Sequence, residues 1–153
     1  MPTVAELERE RPAYVMVGPT ELTGYRLGTW IAERAIDQGL AITVEVILAG
    51  RLVFRAALPG TSDRNDMYLR GKRKVVELNG RPSLYERLLH LEQGTTFEDA
   101  TGLAFPEYAP HGGGVPLLSA QGELLGMVIV SGLPMVQDHE LAVAAIRAVA
   151  CGS

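Results

Sequence analysis

Residues 123–132 of the chain read ELLGMVIVSG, and almost every side chain in this run is apolar. Read as a β-strand, the run sends apolar side chains to both faces of a sheet: Leu124, Val128 and Val130 to one face, and Leu125, Met127 and Ile129 to the other. A strand that borders water on one side alternates apolar with polar residues, so this pattern indicates burial on both sides. We therefore predict a central strand with a layer of structure on each face.

The segments around this strand predict two β-hairpins. VPLLS at 115–119 precedes the central strand and is joined to it by the short connection AQGE. Further upstream, LAITVEVIL at 40–48 and LVFRAAL at 52–58 alternate around the connection AGR. Connections this short join neighbouring antiparallel strands, so the sheet is expected to be antiparallel.

Four further segments have the apolar spacing or the end signals of helices: 20–39, 62–79, 83–91 and 138–150. The last begins with Asp138 in a capping position and is apolar almost all round, so it is predicted to be buried in its own core or against another subunit. Gly71 lies inside the second helix, where glycine costs about 1 kcal/mol relative to alanine, and this cost predicts a packing reason for it. Residues 92–114 show neither pattern, and a loop of that length is usually functional or mobile.

This order of elements predicts an α+β fold in which an antiparallel sheet lies between helices. At 153 residues the chain is long enough to bury a core. Residues 1–153 are therefore expected to form a single domain, with residues 1–19 as an N-terminal lead-in.

Charge and composition exclude several classes of protein. The net charge of −4, from 14 basic and 18 acidic residues, argues against a broad nucleic-acid-binding surface. The N-terminal residues MPTVAELERERPAY lack the apolar core of a signal peptide, and no apolar run reaches the roughly 20 residues of a membrane span. Cys151 is the single cysteine, which excludes an internal disulfide and a cysteine-based metal cluster. We expect a cytoplasmic protein that binds neither nucleic acid nor membranes and has no metal site.

Three segments, at 58–76, 108–134 and 137–146, together resemble the haem-degrading-domain family, which includes GlcG-like and HbpS-like proteins. A His-Gly-Gly-Gly element, a Ser-Gly-Leu-Pro turn and an Asp-His pair follow one another as in the family's uncharacterised cytoplasmic branch. With the preceding helix and hairpin, the resemblance spans about residues 20–150. The chain departs from the branch pattern at 63–72, where Tyr68 replaces a tryptophan and Gly71-Lys72 replaces Arg-Lys.

The resemblance implies a profilin-like or GlcG-like fold with a sheet of about five antiparallel strands, usually assembled as dimers or larger rings. It implies no single activity, because family members bind or degrade haem, bind cobalamin-related or other small ligands, or act in larger assemblies. Haem is therefore a possible cofactor, and a homo-oligomer is the expected assembly.

The first candidate site is His111 with the three glycines that follow it, Gly112, Gly113 and Gly114. Glycines have no Cβ atom, so a backbone built from them can approach a ligand closely and present N–H groups to an anion beside the histidine. They equally suit a sharp entry into the strand at 115–119, with His111 merely exposed. The sequence leaves both interpretations open.

Asp138 and His139 form the second candidate site, at the start of the last predicted helix. There the imidazole of His139 could ligate a metal or haem, with Asp138 tuning it. Alternatively, Asp138 is a cap that accepts backbone N–H bonds, and His139 packs on the surface. A shared site requires that the imidazoles of His111 and His139 converge on one hollow.

The third candidate is a run of four cations in five residues: Arg70, Lys72, Arg73 and Lys74. On a helix these side chains point in several directions, which is typical of a solvated face. Alternatively, an arginine of this run reaches the cleft below the glycines and pairs with a carboxylate, such as a haem propionate or a small organic acid. Arg70 and Lys72 are included among the ligand-binding candidates.

The sequence thus favours a small-molecule binding protein of the haem-degrading-domain type, assembled as a homo-oligomer. Its pocket is expected between the 92–114 loop, the SGLP turn at 131–134 and the 63–79 helix, and its ligand to be haem or an organic anion. No catalytic residue is assigned. Two alternatives stay open: an oligomeric protein-interaction module, and an enzyme that degrades haem oxidatively.

Overall fold

The prediction of a central strand is confirmed. The structure, a computed structural model that describes residues 1–152, contains a four-stranded antiparallel sheet with the strand order β2-β1-β4-β3. The strands are β1 (Thr43–Leu48), β2 (Arg51–Ala57), β3 (Gly114–Leu118) and β4 (Leu124–Ser131). Both predicted hairpins form, since β1 pairs with β2 and β3 with β4, and the two hairpins join through β1 and β4.

Helices cover both faces of this sheet. They are α1 (Val4–Glu10), α2 (Glu21–Gln38), α3 (Asp63–Asn79), α4 (Ser83–Glu92), α5 (Phe97–Thr101) and α6 (Met135–Ala150), with a 3₁₀ helix at Arg11–Tyr14. On one face, Val128 and Val130 of β4 belong to the core shared with α2 and α6. On the other face, Met127 and Ile129 pack with residues of α3. The apolar side chains on the two faces of β4 thus each pack against a layer of helices, as expected of an α+β fold.

The sheet has four strands where about five were expected. At the place of a fifth strand, beside β3, the chain makes only one isolated parallel bridge, between Val15 and Leu118, and the Met16 N–H donates to the Leu118 carbonyl at 2.9 Å. This segment is confined between the 3₁₀ helix, which ends at Tyr14, and Thr20, the N-cap of α2. After this one bridge the segment bends at residues 17–18, where Gly18 has a φ of +54°, so it does not pair along the whole of β3.

Two predicted boundaries differ in the structure. Helix α6 begins at Met135 after Pro134, three residues before Asp138, so Asp138 is not its N-cap. The region 92–114 is not wholly irregular, because Thr96 caps the short helix α5 there. Helix α6 is buried in the core of its own chain, the first of the two predicted alternatives, since Ile146 is 0% exposed within the single chain.

Gly71 has the packing reason that its place in a helix predicts. The loop before β3 crosses α3 at this residue, and the Ala109 N–H donates to the Gly71 carbonyl at 3.1 Å. A Cβ atom at Gly71 would lie 2.6 Å from the Ala109 Cβ and 2.8 Å from the Pro106 carbonyl oxygen. Only a residue without a side chain lets the loop approach α3 this closely.

We expect Gly71→Ala to lower the free energy of unfolding by about 1–3 kcal/mol, because the methyl group overpacks the contact with the loop. Urea unfolding measures the change, with Arg70→Ala, at an exposed position of the same helix, as the matched control. Alanine is otherwise the better helix former by about 1 kcal/mol. A Gly71→Ala protein more stable than the parent would contradict the packing role.

Candidate functional site

A cavity of about 500 Å³ opens between α3, the SGLP turn and the start of α6, at the location that the sequence predicts for a pocket. Its wall is largely polar, and the residues that matter below are Asn65, Tyr68, Lys72, His111, Ser131 and Asp138. They come from three separate parts of the chain. The cavity therefore exists only because the fold brings α3, the end of β4 and the glycine segment together.

A buried ion pair forms one side of this cavity. The Lys72 Nζ lies 3.2 Å from Oδ2 of Asp138 and donates to the Val130 carbonyl at 2.9 Å. Both side chains are only 2% exposed. Burial lowers the pKa of Lys72 and raises that of Asp138, and the attraction between the two charges opposes both shifts. The pair links α3 to α6 across the end of β4.

Asp138 also fixes the turn that precedes α6. Its Oδ1 accepts the Leu133 N–H at 3.0 Å, and its Oδ2 accepts the Gly132 N–H at 3.2 Å. The carboxylate thus binds backbone N–H groups on the N-terminal side of its own helix, instead of those inside it. With Lys72 as a third partner, Asp138 holds the SGLP turn against α3.

The three glycines of the HGGG element lie against protein atoms and not on the cavity wall. A Cβ at Gly112 would meet the Met135 carbonyl oxygen at 2.1 Å, and one at Gly113 would meet the Val130 carbonyl oxygen at 2.2 Å and the Lys72 Nζ at 2.8 Å. Gly113 also has a φ of +135°, which side chains rarely adopt. Gly114 begins β3. The glycines therefore make room for the ion pair and lead the chain into β3, which is one part of the second interpretation. Its other part, a merely exposed His111, is wrong, because that residue is half-buried.

His111 does line the cavity, and an aromatic cluster positions it. Its ring packs edge-on against Tyr68 of α3, with centroids 5.4 Å apart, and against Phe105 at 5.9 Å. Its backbone carbonyl accepts the Ser83 hydroxyl at 2.6 Å. Neither ring nitrogen has a hydrogen-bond partner among residues 1–152. Burial, together with the nearby charges of Arg87 and Lys72, lowers the pKa of His111 to about 4, so the ring is neutral at neutral pH.

Sequence reasoning missed Asn65, which connects the mouth of the cavity to the sheet. Its Nδ2 donates to the Ser131 carbonyl at 3.0 Å, while its Oδ1 accepts the Ser62 N–H at 3.0 Å. Ser62 in turn caps α3, so Ser62 and Asn65 form a capping box. That spacing is readable from the sequence, but the long-range bond to β4 is not.

Two of the predicted site residues lie elsewhere. His139 is buried, and its Nε2 lies 2.7 Å from Oε1 of Glu10; both residues line a different cavity, beside the N-terminal helix. Arg70 is exposed on α3 and is not part of the cavity wall. The structure therefore does not bring His111 and His139 to one hollow, because the His139 ring faces the N-terminal segment. Of the candidates, it brings together His111, Lys72 and Asp138.

Residues 1–152 contain neither a cluster of side chains placed to hold a metal ion nor a helix suited to cross a membrane. No group of three or more His, Cys, Asp or Glu side chains there is placed to hold a metal ion. No helix in the same range has both the length and the apolar character needed to cross a bilayer.

We expect the His111 pKa to make the folded protein sensitive to acid. The unfolded chain binds a proton at the ordinary pKa of 6.5 and the folded chain only at about 4, so stability is full above pH 6.5 and is lost as the pH falls toward 4. A shift of this size corresponds to about 3 kcal/mol, which solvent screening at this half-buried side chain reduces to about 2 kcal/mol. His111→Gln should remove this loss from the curve of unfolding free energy against pH. An NMR titration of the ring protons that gives a midpoint near 6.5 would contradict the burial and charge effects described above.

The family model for haem degrading proteins of the HbpS-like type matches residues 21–147. The UPF0303 protein SCO2848 of Streptomyces coelicolor is 39% identical over 146 residues, which cover 95% of this chain and 92% of that protein. Both comparisons cover the segments on which the sequence resemblance was based, and they confirm it.

Two solved structures are similar over most of the chain. The crystal structure of the Ybr137w protein has a TM-score of 0.86 at 26% identity and covers 98% of this chain and 89% of its own. A PduOC:heme complex has a TM-score of 0.71 at 20% identity, with 86% and 95% covered. The second likeness shows the fold alone. On the family model and the Streptomyces relative, this chain belongs to the HbpS-like haem degrading protein family.

Proposed function

We propose that this chain is a small-molecule binding protein whose ligand occupies the cavity between α3, the SGLP turn and His111. The observation that carries the proposal is the His111 ring, which lines a cavity of about 500 Å³ without a hydrogen-bond partner among residues 1–152. Pockets for small molecules have volumes of roughly 300–1,000 Å³ and a few well-placed polar groups. Here the buried Lys72–Asp138 pair fixes the wall in advance, so little ordering is needed on binding.

The charges around His111 favour an anionic ligand. Arg87 and Lys72 both lower the pKa of the ring, which means that the potential there is positive. Arg64 adds a third cation on the wall of the cavity, while Asp138 is already engaged by Lys72. A carboxylate that enters the cavity could accept two parallel hydrogen bonds from the planar guanidinium of Arg64.

Haem is the first ligand to test, and the donor types in the cavity suit it. His111, which is neutral, and Met135 both line the wall, and imidazole and thioether groups are ligands of haem iron. Arg64 would pair with the carboxylates, and Tyr68 would lie against the ring. Bound haem would supply a redox-active iron, whereas the residues of this chain would hold and orient it. The family description and the haem named with PduOC support this choice.

The proposal includes a homo-oligomer in the cytoplasm, as the sequence favours. The observation that supports assembly lies on α2, where Leu22, Tyr25 and Ile36 are 54%, 56% and 65% exposed. Apolar side chains exposed in one region of a surface are typical of contacts between subunits. Helix α6, for which the sequence left open burial against another subunit, packs on the chain's own sheet and α2.

Titration of the purified protein with haemin tests the ligand. We expect a saturable Soret change at micromolar concentration, and at least about a tenfold loss of affinity in His111→Ala and in Arg64→Ala, since each removes a direct ligand contact. Arg70→Ala, on the same helix but off the wall, and His139→Gln are the matched controls and should bind as the parent does. Light scattering on the same samples measures the oligomer against the monomer mass of 16.5 kDa.

No saturable Soret change would remove haem as the ligand. Equal losses in Arg64→Ala and Arg70→Ala, or unchanged binding by His111→Ala, would contradict binding in this cavity.

A further inference from the structure

His111 separates the cavity described above from a second, smaller one of about 240 Å³. The second cavity lies between α4, α5 and the loop that leads to His111. Its wall is mainly apolar and aromatic, and the side chains that define it are Leu91, Phe97, Leu103, Phe105 and Tyr108. Two charged residues, Arg87 and Glu98, also line it.

Arg87 lines this cavity, and no acceptor among residues 1–152 binds its Nε. Its Nε is buried and has no hydrogen-bond partner, and its guanidinium forms no ion pair with any of residues 1–152. Its near neighbour Arg81, by contrast, has its guanidinium 2.8 Å from Glu86. Glu98 lines the same cavity but is exposed and does not pair with Arg87.

A buried donor without a partner is costly, and native proteins rarely leave one unmatched. The cost disappears when a ligand or an ordered molecule accepts the bond. The acceptor that a guanidinium binds best is a carboxylate, which takes two parallel N–H bonds. The apolar wall opposite requires that the rest of the ligand be apolar.

We propose that this second cavity is a binding site for a small carboxylate with an apolar body, the carboxylate on Arg87 and the body among Phe97, Leu103 and Phe105. The volume of the cavity limits the size of the ligand. At about 240 Å³ the cavity is smaller than those that take drug-sized molecules, so it suits a single ring or a short branched chain. The site does not depend on the function proposed above, although a ligand in it contacts the opposite side of His111.

Benzoate is the probe, measured by isothermal titration calorimetry on the full chain. We expect saturable binding with a dissociation constant below about 10 mM, and no saturable binding of benzyl alcohol, which has the same ring without the charge. Arg87→Gln should weaken benzoate at least tenfold, the loss of a charge-assisted pair. Glu98→Gln should leave the affinity unchanged or tighten it up to a few fold, because it removes an exposed like charge.

Leu103→Trp fills the cavity without touching Arg87 and should also abolish benzoate binding, while Leu52→Trp, the same change at an exposed position of β2, should not. Leu103→Trp and Leu52→Trp together test the site even if Arg87→Gln is poorly folded. Absence of saturable benzoate binding to the parent, or equal binding by Leu103→Trp, would overturn the proposal. So would weaker binding in Glu98→Gln than in Arg87→Gln, which would mean that the cavity selects cations.

Discussion

The ion pair between Lys72 and Asp138 is the constraint on which the site depends. Both charges are almost completely removed from water, so each is tolerated only because the other lies 3.2 Å away and backbone groups add further hydrogen bonds. The Val130 carbonyl accepts a hydrogen bond from the ammonium, and two N–H groups of the SGLP turn donate to the carboxylate. These bonds tie α3, β4 and α6 together at one end of the sheet, and they thereby join the helix layers on the two faces at the end of the central strand β4.

The cavity and the position of His111 follow from this arrangement. Gly113 must lack a side chain because the Lys72 ammonium and the Val130 carbonyl occupy the space beside it. The backbone that passes this point so closely then carries His111 between Tyr68 and Phe105, with a cavity on each side of its ring. One cavity is polar and contains the ion pair, whereas the other is apolar with a single unpaired cation. The same chain segment therefore presents one neutral imidazole to two chemically different spaces.

Local patterns predicted the fold well and the site only in part. Three predictions came from residues close together in the sequence, and the structure agrees with each: the two-sided burial of β4, the two hairpins and the packing role of the glycine within α3. The partnership of Lys72 with Asp138 spans 66 residues, and no spacing rule reports a contact of that kind. Asp138 has the residue type of a helix cap, but its hydrogen bonds run to the preceding turn, so the predicted start of α6 was late. His139 is next to Asp138 in sequence, yet one residue along a helix turns the side chain by about 100°, toward Glu10 and away from the cavity.

A double-mutant cycle on the ion pair tests this view of the site most directly. Lys72→Met and Asp138→Asn each leave one buried partner uncompensated, so each should lower the free energy of unfolding by about 3–5 kcal/mol in urea denaturation. The double variant should lose less than the sum of the two, with a coupling energy of about 1–3 kcal/mol. Losses that add to within about 0.5 kcal/mol would show that the two charges act independently, and the cavity would then owe its shape to something else.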